Sequence, residues 1–258
     1  MKTSQAAGPA QCALPAKTAL SPDKYCDRMV ERDGRKVHIR DYGGEGPLLL
    51  LWHGAGCDRT IWDATVPHVN GYRVLAQDLP GHGGSPFTHF CIEEAITDAE
   101  VVVADLGLGA PILAGHSMGG WAALRFATTR PCARLACLDG PFTLDYLEYA
   151  NVPDDQLPRD QRSRVIMAEL GRIDVRLELA QLQCPTLFIL CPRSAHESAA
   201  IRKRIGPARS SLADYLETRH PEISVKWLDT EHMHIVSMPR ETGAVISAFA
   251  AAPIEMRS

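Results

Sequence analysis

The sequence predicts an α/β fold with a mostly parallel central sheet and helices on both of its faces. Short, continuous apolar runs such as Leu48–Trp52 are typical of strands that are buried on both sides. These runs alternate with stretches in which apolar residues recur at helical spacing, as they do between Ile92 and Leu106. The length of 258 residues suits one large core better than two.

The first half of the chain is predicted to form an extension, a hairpin and the first parallel strands. Residues 1–24 are rich in Ala, Pro, Gln and Lys without periodicity, and we interpret them as a flexible extension. Residues 27–33 and 36–41 predict an antiparallel hairpin around Gly34, which would form one edge of the sheet. The elements that follow are strands at Leu48–Trp52 and Val74–Ala76, a helix from Ile92 to Leu106 and a strand from Ile112 to Ala114.

The second half contains an insertion between two parts of the core. Residues 142–183 combine acidic and Pro-containing segments with two short helical patterns, and an insertion of this length is typical of a lid. We therefore assign residues 25–141 and 184–258 to the core and residues 142–183 to the lid. The other predicted elements are strands at Leu135–Leu138, Pro185–Leu190 and Ile223–Leu228, a helix from Ala199 to Glu217 with a break near Gly206-Pro207, and a helix from Thr242 to Ala250.

The overall composition is that of a globular protein and suggests no nucleic-acid or membrane partner. Hydrophobic residues make up 45% of the chain and charged residues 22%, as in an ordinary globular protein. The net charge of −4 gives no reason to expect nucleic acid or an anionic membrane as a partner. No apolar run approaches the roughly 20 residues that span a bilayer. The first residues make a poor signal peptide, so we expect a cytoplasmic location, and the oligomeric state stays open.

The eight cysteines do not indicate a metal site. They form no CxxC pair, and no His/Cys cluster has zinc spacing, so we expect no metal. Cys137 and Cys191 fall in or at predicted core strands, where a thiol behaves as a small hydrophobic side chain. Cys57 lies in a loop that we expect near the functional site, and it is the candidate for a reactive thiol.

The segment Gly115-His116-Ser117-Met118-Gly119 lies between a predicted strand and a predicted helix. A serine on so sharp a turn has a strained backbone, and glycines two positions before and after it leave the room that this requires. The helix that follows directs free N–H groups and the positive end of its dipole toward the hydroxyl. A tight Gly/Ser turn is the simpler interpretation of so short a motif, but the flanking strand and helix favour a nucleophile at Ser117.

A histidine is the base that could take the proton of such a serine near neutral pH. Position favours His232 among the ten histidines, because it lies between the last predicted strand and the last predicted helix, at the same sheet edge as Ser117. His234 is the second choice, while His116 and His82 are expected to be structural.

A carboxylate should fix the orientation and tautomer of that histidine. Asp139 is the candidate, because it ends the strand that follows the Ser117 strand–helix unit. An aspartate that only caps a turn is the alternative interpretation of this residue. Asp78 is the rival by position, although the glycine-rich segment behind it is typical of a structural turn.

Two backbone N–H groups are expected to form an oxyanion hole. Met118 directly follows the serine and supplies the first. The second is expected from the glycine-rich loop after the strand Leu48–Trp52, where Ala55 is the expected donor.

Five segments of the chain are more specific together than any one of them alone. They are Leu51–Gly56 with Trp62 downstream, Asp78–Ser85, Gly115–Gly120, Cys184–Leu187, and Thr230–His232 with Pro239 downstream. With these segments the chain resembles the α/β-hydrolase superfamily over nearly its whole length. The order Ser117, Asp139, His232 also follows that family's order of nucleophile, acid and histidine.

The position of the acid departs from most members of that superfamily. Most relatives carry it on the loop after the strand that matches Thr186–Leu190, where this chain has Ser194 at about the place of the aspartate. A minority carry it one strand earlier, at the position that matches Asp139. The resemblance therefore implies Asp139 as the acid, with Glu197 as the alternative.

The resemblance implies a hydrolase of small molecules that needs no cofactor. A serine in place of an aspartate at the turn argues against the epoxide-hydrolase and haloalkane-dehalogenase branches and favours hydrolysis of an ester, lactone or thioester. A C–C bond hydrolase or other specialised pathway enzyme, and a weakly catalytic small-molecule receptor, are the alternatives. Apolar side chains of the lid predict a small to medium hydrophobic substrate, although we expect most of them to pack the lid onto the core: Phe142, Leu144, Tyr146, Leu147, Tyr149, Val165, Ile166 and Met167.

Overall fold

One sheet runs through the computed structural model, which describes residues 25–85, 89–146, 160–193 and 199–252, without the side chains of residues 199–202. Within these residues the sheet has eight strands in the order β1-β2-β4-β3-β5-β6-β7-β8. Strands β1/β2 and β2/β4 pair antiparallel and all other neighbours pair parallel, which confirms the predicted fold class. The strands are β1 Cys26–Arg32, β2 Arg35–Gly43, β3 Leu48–Trp52, β4 Arg73–Gln77, β5 Ile112–His116, β6 Arg134–Leu138, β7 Thr186–Leu190 and β8 Ser224–Trp227.

The hairpin β1–β2 closes through Asp33 and Gly34. Both residues have positive φ, 49° and 75°, as the central positions of a tight hairpin turn with right-handed strand twist require. Arg32 therefore faces Arg35 across the turn, and the register continues to Cys26 opposite Asp41.

Seven helices are present in the described residues. The longest is α5, and the shortest, α6, is a single turn. They are α1 Ile92–Leu106, α2 Met118–Thr129, α3 Gln161–Leu170, α4 Val175–Gln181, α5 Ala199–Arg219, α6 His234–Ser237 and α7 Pro239–Ala251, together with 3₁₀ turns at Arg59–Trp62 and Val66–His68. No helix in this part of the chain is both long and apolar enough to cross a membrane.

The two faces of the sheet are covered by different helices, as strand β3 illustrates. Leu48, Leu50 and Trp52 point into a core that also contains side chains of α1, α2 and α5. Leu49 and Leu51 point into the opposite core, which α7 and the 3₁₀ turns cover. This double burial explains why the strand is a continuous apolar run rather than an alternating one.

Helix α5 corrects one expectation from the sequence. The helix continues from Ala199 to Arg219 through Pro207, where we expected a break. Proline removes one backbone hydrogen bond and crowds the preceding turn. Pro207 lies on the exposed side, where the helix can open toward solvent, while Ile205 and Leu212 on the other side are fully buried. The packing of the buried side outweighs the local cost of the proline.

The described part of the insertion consists of α3 and α4, which lie against α2. Phe142, Tyr146 and Ile166 are buried in the main core, and Leu144 and Met167 are partly buried against it. Cys191 lies one residue beyond β7 and is fully buried. Several sequence expectations fall outside the described residues, namely the extension 1–24, Leu147 and Tyr149 of the insertion, Ser194 and the alternative acid Glu197.

Candidate active site

Ser117 occupies the turn between β5 and α2. Its backbone has φ 52° and ψ −121°, a conformation that side chains rarely adopt. A Cβ at Gly119 would lie 2.6 Å from the carbonyl oxygen of His53, and one at Gly115 would overlap the carbonyl of Gly119. The spacing of the glycines therefore has a direct steric cause, and the turn leaves the serine half-buried at the carboxyl edge of the sheet.

His232 lies in the loop between β8 and α6 and contacts both Ser117 and Asp139. Its Nε2 is 2.9 Å from Ser117 Oγ, and its Nδ1 is 2.6 Å from Asp139 Oδ2. Because an ionised carboxylate can only accept, Nδ1–H donates to it, and Nε2 is then left to accept the serine hydroxyl. The His232 side chain is 17% exposed, so it is in contact with solvent.

Asp139 follows β6 and is buried completely. Its Oδ1 accepts the N–H of Cys191 at 3.2 Å and Nε–H of Arg209 at 2.8 Å, while Oδ2 accepts from His232 and from Arg209 Nη2. Burial alone would raise the pKa of Asp139, but the hydrogen bond from His232 and the charges of His232 and Arg209 lower it below its ordinary value. The carboxylate is therefore an anion, and each of its oxygens accepts two hydrogen bonds.

His234 and His116 lie beside this pair, and each makes a hydrogen bond of its own. His234 Nδ1 is 3.0 Å from the hydroxyl of Thr242, and burial lowers its pKa to about 4. His116 Nε2–H donates to the backbone carbonyl of His232 at 2.8 Å, and its ring lies 4.7 Å from the ring of His232. Burial lowers the pKa of His116 far below its ordinary value. Both rings are therefore neutral and make structural hydrogen bonds. A structural role was expected for His116, whereas His234 was the second choice for the base.

The loop after β3 approaches the serine through Gly54. A Cβ there would lie 3.1 Å from Ser117 Cβ, so the backbone of this loop passes directly beside the turn. His53 holds the loop, because its Nδ1–H donates to Gly54 O at 2.8 Å and its Nε2 accepts the N–H of Leu79 at 3.0 Å. Burial lowers the pKa of His53 to about 3, so this bridge stays neutral. Ala55 is exposed at the tip of the loop, and Met118 is buried at the start of α2.

The rival residues have structural contacts of their own. Asp78 accepts the backbone N–H groups of Arg59 at 2.7 Å and Gly84 at 2.6 Å, and it pairs with the guanidinium of Arg59. It therefore holds two loops together rather than orienting His232. His82 Nδ1–H donates to the carbonyl oxygen of Pro80 in its own turn at 3.0 Å. Burial raises the pKa of the Cys57 thiol, so this cysteine is not activated by its surroundings.

Arg209 is the site residue that sequence reasoning missed. It lies on α5, 70 residues beyond Asp139, and is fully buried. A signal was present in the sequence, because Ile205, Arg209, Leu212 and Leu216 follow helical spacing on one apolar side. A charged residue within such a stripe requires a buried partner of opposite sign.

In the described residues no group of three or more His, Cys, Asp or Glu side chains is arranged to hold a metal ion.

A family model described as "Alpha/beta hydrolase family" matches residues 49–245, and the chain belongs to this family. The chain is 32% identical over 125 residues to lipase LipV of Mycobacterium tuberculosis, a match that covers 47% of this chain and 48% of the relative. It is 33% identical over 122 residues to the 2-hydroxy-6-oxononadienedioate/2-hydroxy-6-oxononatrienedioate hydrolase of Burkholderia vietnamiensis, over 44% of this chain and 42% of the relative. The matched stretch thus spans less than half the length of these curated relatives.

A solved structure shares the fold over most of both chains. The enol-lactonase from Burkholderia xenovorans LB400 superimposes with a TM-score of 0.65 at 16% sequence identity, covering 87% of this chain and all of the other. At this identity the likeness shows the fold alone.

Proposed function

We propose that the protein is a serine hydrolase that cleaves an ester, lactone or thioester of a small to medium hydrophobic substrate through an acyl-enzyme on Ser117. The observation that carries this proposal is the position of His232, whose two ring nitrogens reach the serine hydroxyl at 2.9 Å and the Asp139 carboxylate at 2.6 Å. These are the contacts that a nucleophile, a general base and an orienting acid require. Membership of the family and the named lipase relative support the same class of reaction.

The first half of the proposed reaction forms the acyl-enzyme. His232 Nε2 takes the hydroxyl proton as Ser117 Oγ attacks the substrate carbonyl carbon, and Asp139 stabilises the imidazolium that results. The backbone N–H groups of Met118 and Ala55 are the proposed donors to the oxyanion. When the tetrahedral species collapses, the alcohol or thiol leaves with the proton from His232. In a lactone, that alcohol stays attached to the acyl chain.

The second half returns the serine to its starting state. A water molecule attacks the acyl carbon while His232 Nε2 takes one of its protons. Collapse then breaks the bond to Ser117 Oγ, which takes the proton back, and the carboxylic acid is released. Each step needs only the groups named above, so the proposal includes no cofactor.

The apolar substrate class is proposed from the side chains of the insertion, which we treat as a lid. Leu144 and Met167 are partly buried, which leaves apolar surface that a hydrophobic acyl chain could cover. Phe142, Tyr146 and Ile166 serve the core instead. The proposed contribution of the lid to substrate binding therefore rests on a small number of side chains.

A fluorophosphonate probe tests the nucleophile directly. We expect the wild-type protein to gain the mass of one phosphonyl group with loss of fluoride, and the Ser117→Ala variant to gain none. Ser211→Ala, at an exposed serine on α5, is the matched control and should label like the wild type. Absence of label on wild type, or equal label on Ser117→Ala, would contradict the proposal.

Hydrolysis of a C–C bond is the second candidate, and one relative favours it. That relative is named as a hydrolase of a 2-hydroxy-6-oxo diacid, a substrate whose name contains no ester. Turnover of a p-nitrophenyl ester and of a 2-hydroxy-6-oxo diacid should be compared on the same preparation. A kcat/KM at least about a hundredfold higher for the ester supports the first candidate, and the reverse supports the second.

A further inference from the structure

We propose that Arg209 is a positioning residue of the reaction: it holds the Asp139 carboxylate charged and turned toward His232, and thereby sets the pH range in which His232 can act as a base. This inference rests on the proposed function, because it concerns the same base and acid. It adds a fourth side chain, from a helix that none of the other proposed groups occupies.

The contact between Arg209 and Asp139 is bidentate and completely buried. Nε–H donates to Oδ1 at 2.8 Å, and Nη2 donates to Oδ2. Both side chains have 0% exposure. A planar guanidinium that binds both oxygens fixes the plane of the carboxylate, which a single hydrogen bond would not do.

The fixed plane of the carboxylate determines which of its oxygens faces the imidazole of His232. Oδ1 accepts from Cys191 N–H and from Arg209, and neither contact involves His232. Oδ2 accepts from Arg209 and is 2.6 Å from His232 Nδ1. Rotation of the carboxylate would break the contacts of both oxygens together, so Arg209 keeps one oxygen aimed at the base.

Arg209 is the main charged neighbour of the pair formed by Asp139 and His232. His116 and His234 face it from β5 and α6, and burial lowers the pKa of both rings, so both are neutral. Cys191 faces it from beyond β7, where burial raises the pKa of the thiol and keeps it protonated. Among the described residues that face Asp139 and His232, Arg209 is the permanent cation.

A fixed positive charge beside this pair opposes the uptake of a proton by it. Without Arg209, the buried carboxylate would attract a proton more strongly, and the protonated imidazole would lose a repulsive neighbour. Both changes act in the same direction. The acid limb of the kcat/KM profile should therefore move to higher pH when the charge is removed, by about one pH unit.

The test uses Arg209→Met and Arg209→Lys in the full chain, assayed from pH 5 to pH 9 on a p-nitrophenyl ester. Arg209→Met should move the acid limb up by about one pH unit, which is about a tenfold loss at pH values below it. Arg209→Lys keeps a charge but not the fork, so its limb should stay in place while kcat falls. Arg209→Gln replaces the methionine variant if that variant does not fold.

Two measurements separate this role from a purely structural one. Guanidinium ion added to Arg209→Met at millimolar concentration should restore part of kcat at pH 6. In the Ser117→Ala background, NMR titration of the ring of His232 should show its midpoint moving up on loss of Arg209, a readout that needs no turnover.

The inference is overturned if the acid limb of the folded Arg209→Met or Arg209→Gln protein coincides with that of the wild type, or if Arg209→Lys shifts it equally. Failure of the proposed function has another signature. It would leave the wild type unlabelled by the fluorophosphonate, whatever the NMR titration of His232 shows.

Discussion

At the scale of single residues, the decisive arrangement is one imidazole that contacts a hydroxyl and a buried carboxylate. The hydroxyl is on a turn whose backbone is strained, with φ 52° at Ser117, and the carboxylate belongs to Asp139, whose φ of 51° is also positive. Strained backbone at two neighbouring strand ends persists only where the surrounding structure enforces it. The two turns pack directly against each other, because a Cβ at Gly140 would overlap the carbonyl oxygen of Ser117.

Replacement of Asp139 by asparagine should cost turnover and stability together. Loss of the anion removes control of the His232 tautomer, for which we expect a fall in kcat of about 10³- to 10⁴-fold. It also leaves Arg209 as a buried charge without a partner, which should lower the free energy of unfolding by about 3 kcal/mol or more. Ester turnover at 10 °C and urea unfolding measure the two effects separately.

Glu197→Gln is the comparison for this variant, since Glu197 is the alternative acid from the sequence. It should leave kcat within about threefold of the wild type. A severe loss in Glu197→Gln together with a mild one in Asp139→Asn would transfer the role of the acid to Glu197.

The sequence predicted Ser117, His232 and Asp139 as candidates because each is marked by its neighbours in the chain. Glycines around Ser117 and the strand ends before Asp139 and His232 are local features, and parallel strands bring their carboxyl ends to one edge. Arg209 has no such marker beside it, because its partner is 70 residues away and only the docking of α5 brings them together. Its place in an apolar stripe indicates burial but does not name the partner.

At the scale of elements, tertiary packing decides the cases in which local propensity is misleading. The expected break at Pro207 is absent because the buried side of α5 packs into the main core. The insertion is likewise joined to the core by specific contacts. Arg125 of α2 donates to Glu178 of α4 at 2.9 Å, and Glu178 is buried. The helix that begins at the serine turn therefore carries part of the insertion on its surface.

Removal of the cap of α4 should weaken this attachment. Asp174 accepts the N–H groups of Arg176 at 3.0 Å and Leu177 at 3.4 Å, which are otherwise unpaired at a helix start. Asp174→Ala should lower the free energy of unfolding in urea by about 1 kcal/mol. Asp174→Asn can still cap the helix, so it should retain most of that stability, and equal losses in both variants would contradict a capping role.

At the scale of the whole molecule, buried histidines should make stability fall in mild acid. Burial lowers the pKa of His53 to about 3 and that of His234 to about 4, and it also lowers those of His82 and His116. The folded chain therefore protonates these rings at a lower pH than the unfolded chain, which protonates them below about pH 6.5. The unfolded state therefore binds more protons, and stability that is present at pH 7 is lost as the pH falls.

We expect a loss of up to about 2 kcal/mol each from His53 and His234 between pH 7 and pH 5, and His82 and His116 act in the same direction. Asp98 acts in the opposite direction, because burial raises its pKa to about 6 and the folded state takes up its proton first. Four histidines outweigh one aspartate. Urea unfolding at pH 7, 6 and 5 measures the slope, which should be shallower in His234→Gln, and a flat profile for the wild type would contradict the explanation.

The buried pair between α5 and β6 also has a consequence for mutational screens. A substitution that loosens the docking of α5 should disturb the Asp139 carboxylate, because Arg209 of that helix and His232 contact the same group. If the proposed function holds, a selection scored on turnover alone will report such changes as catalytic defects, although Arg209 lies 70 positions from Asp139 along the chain.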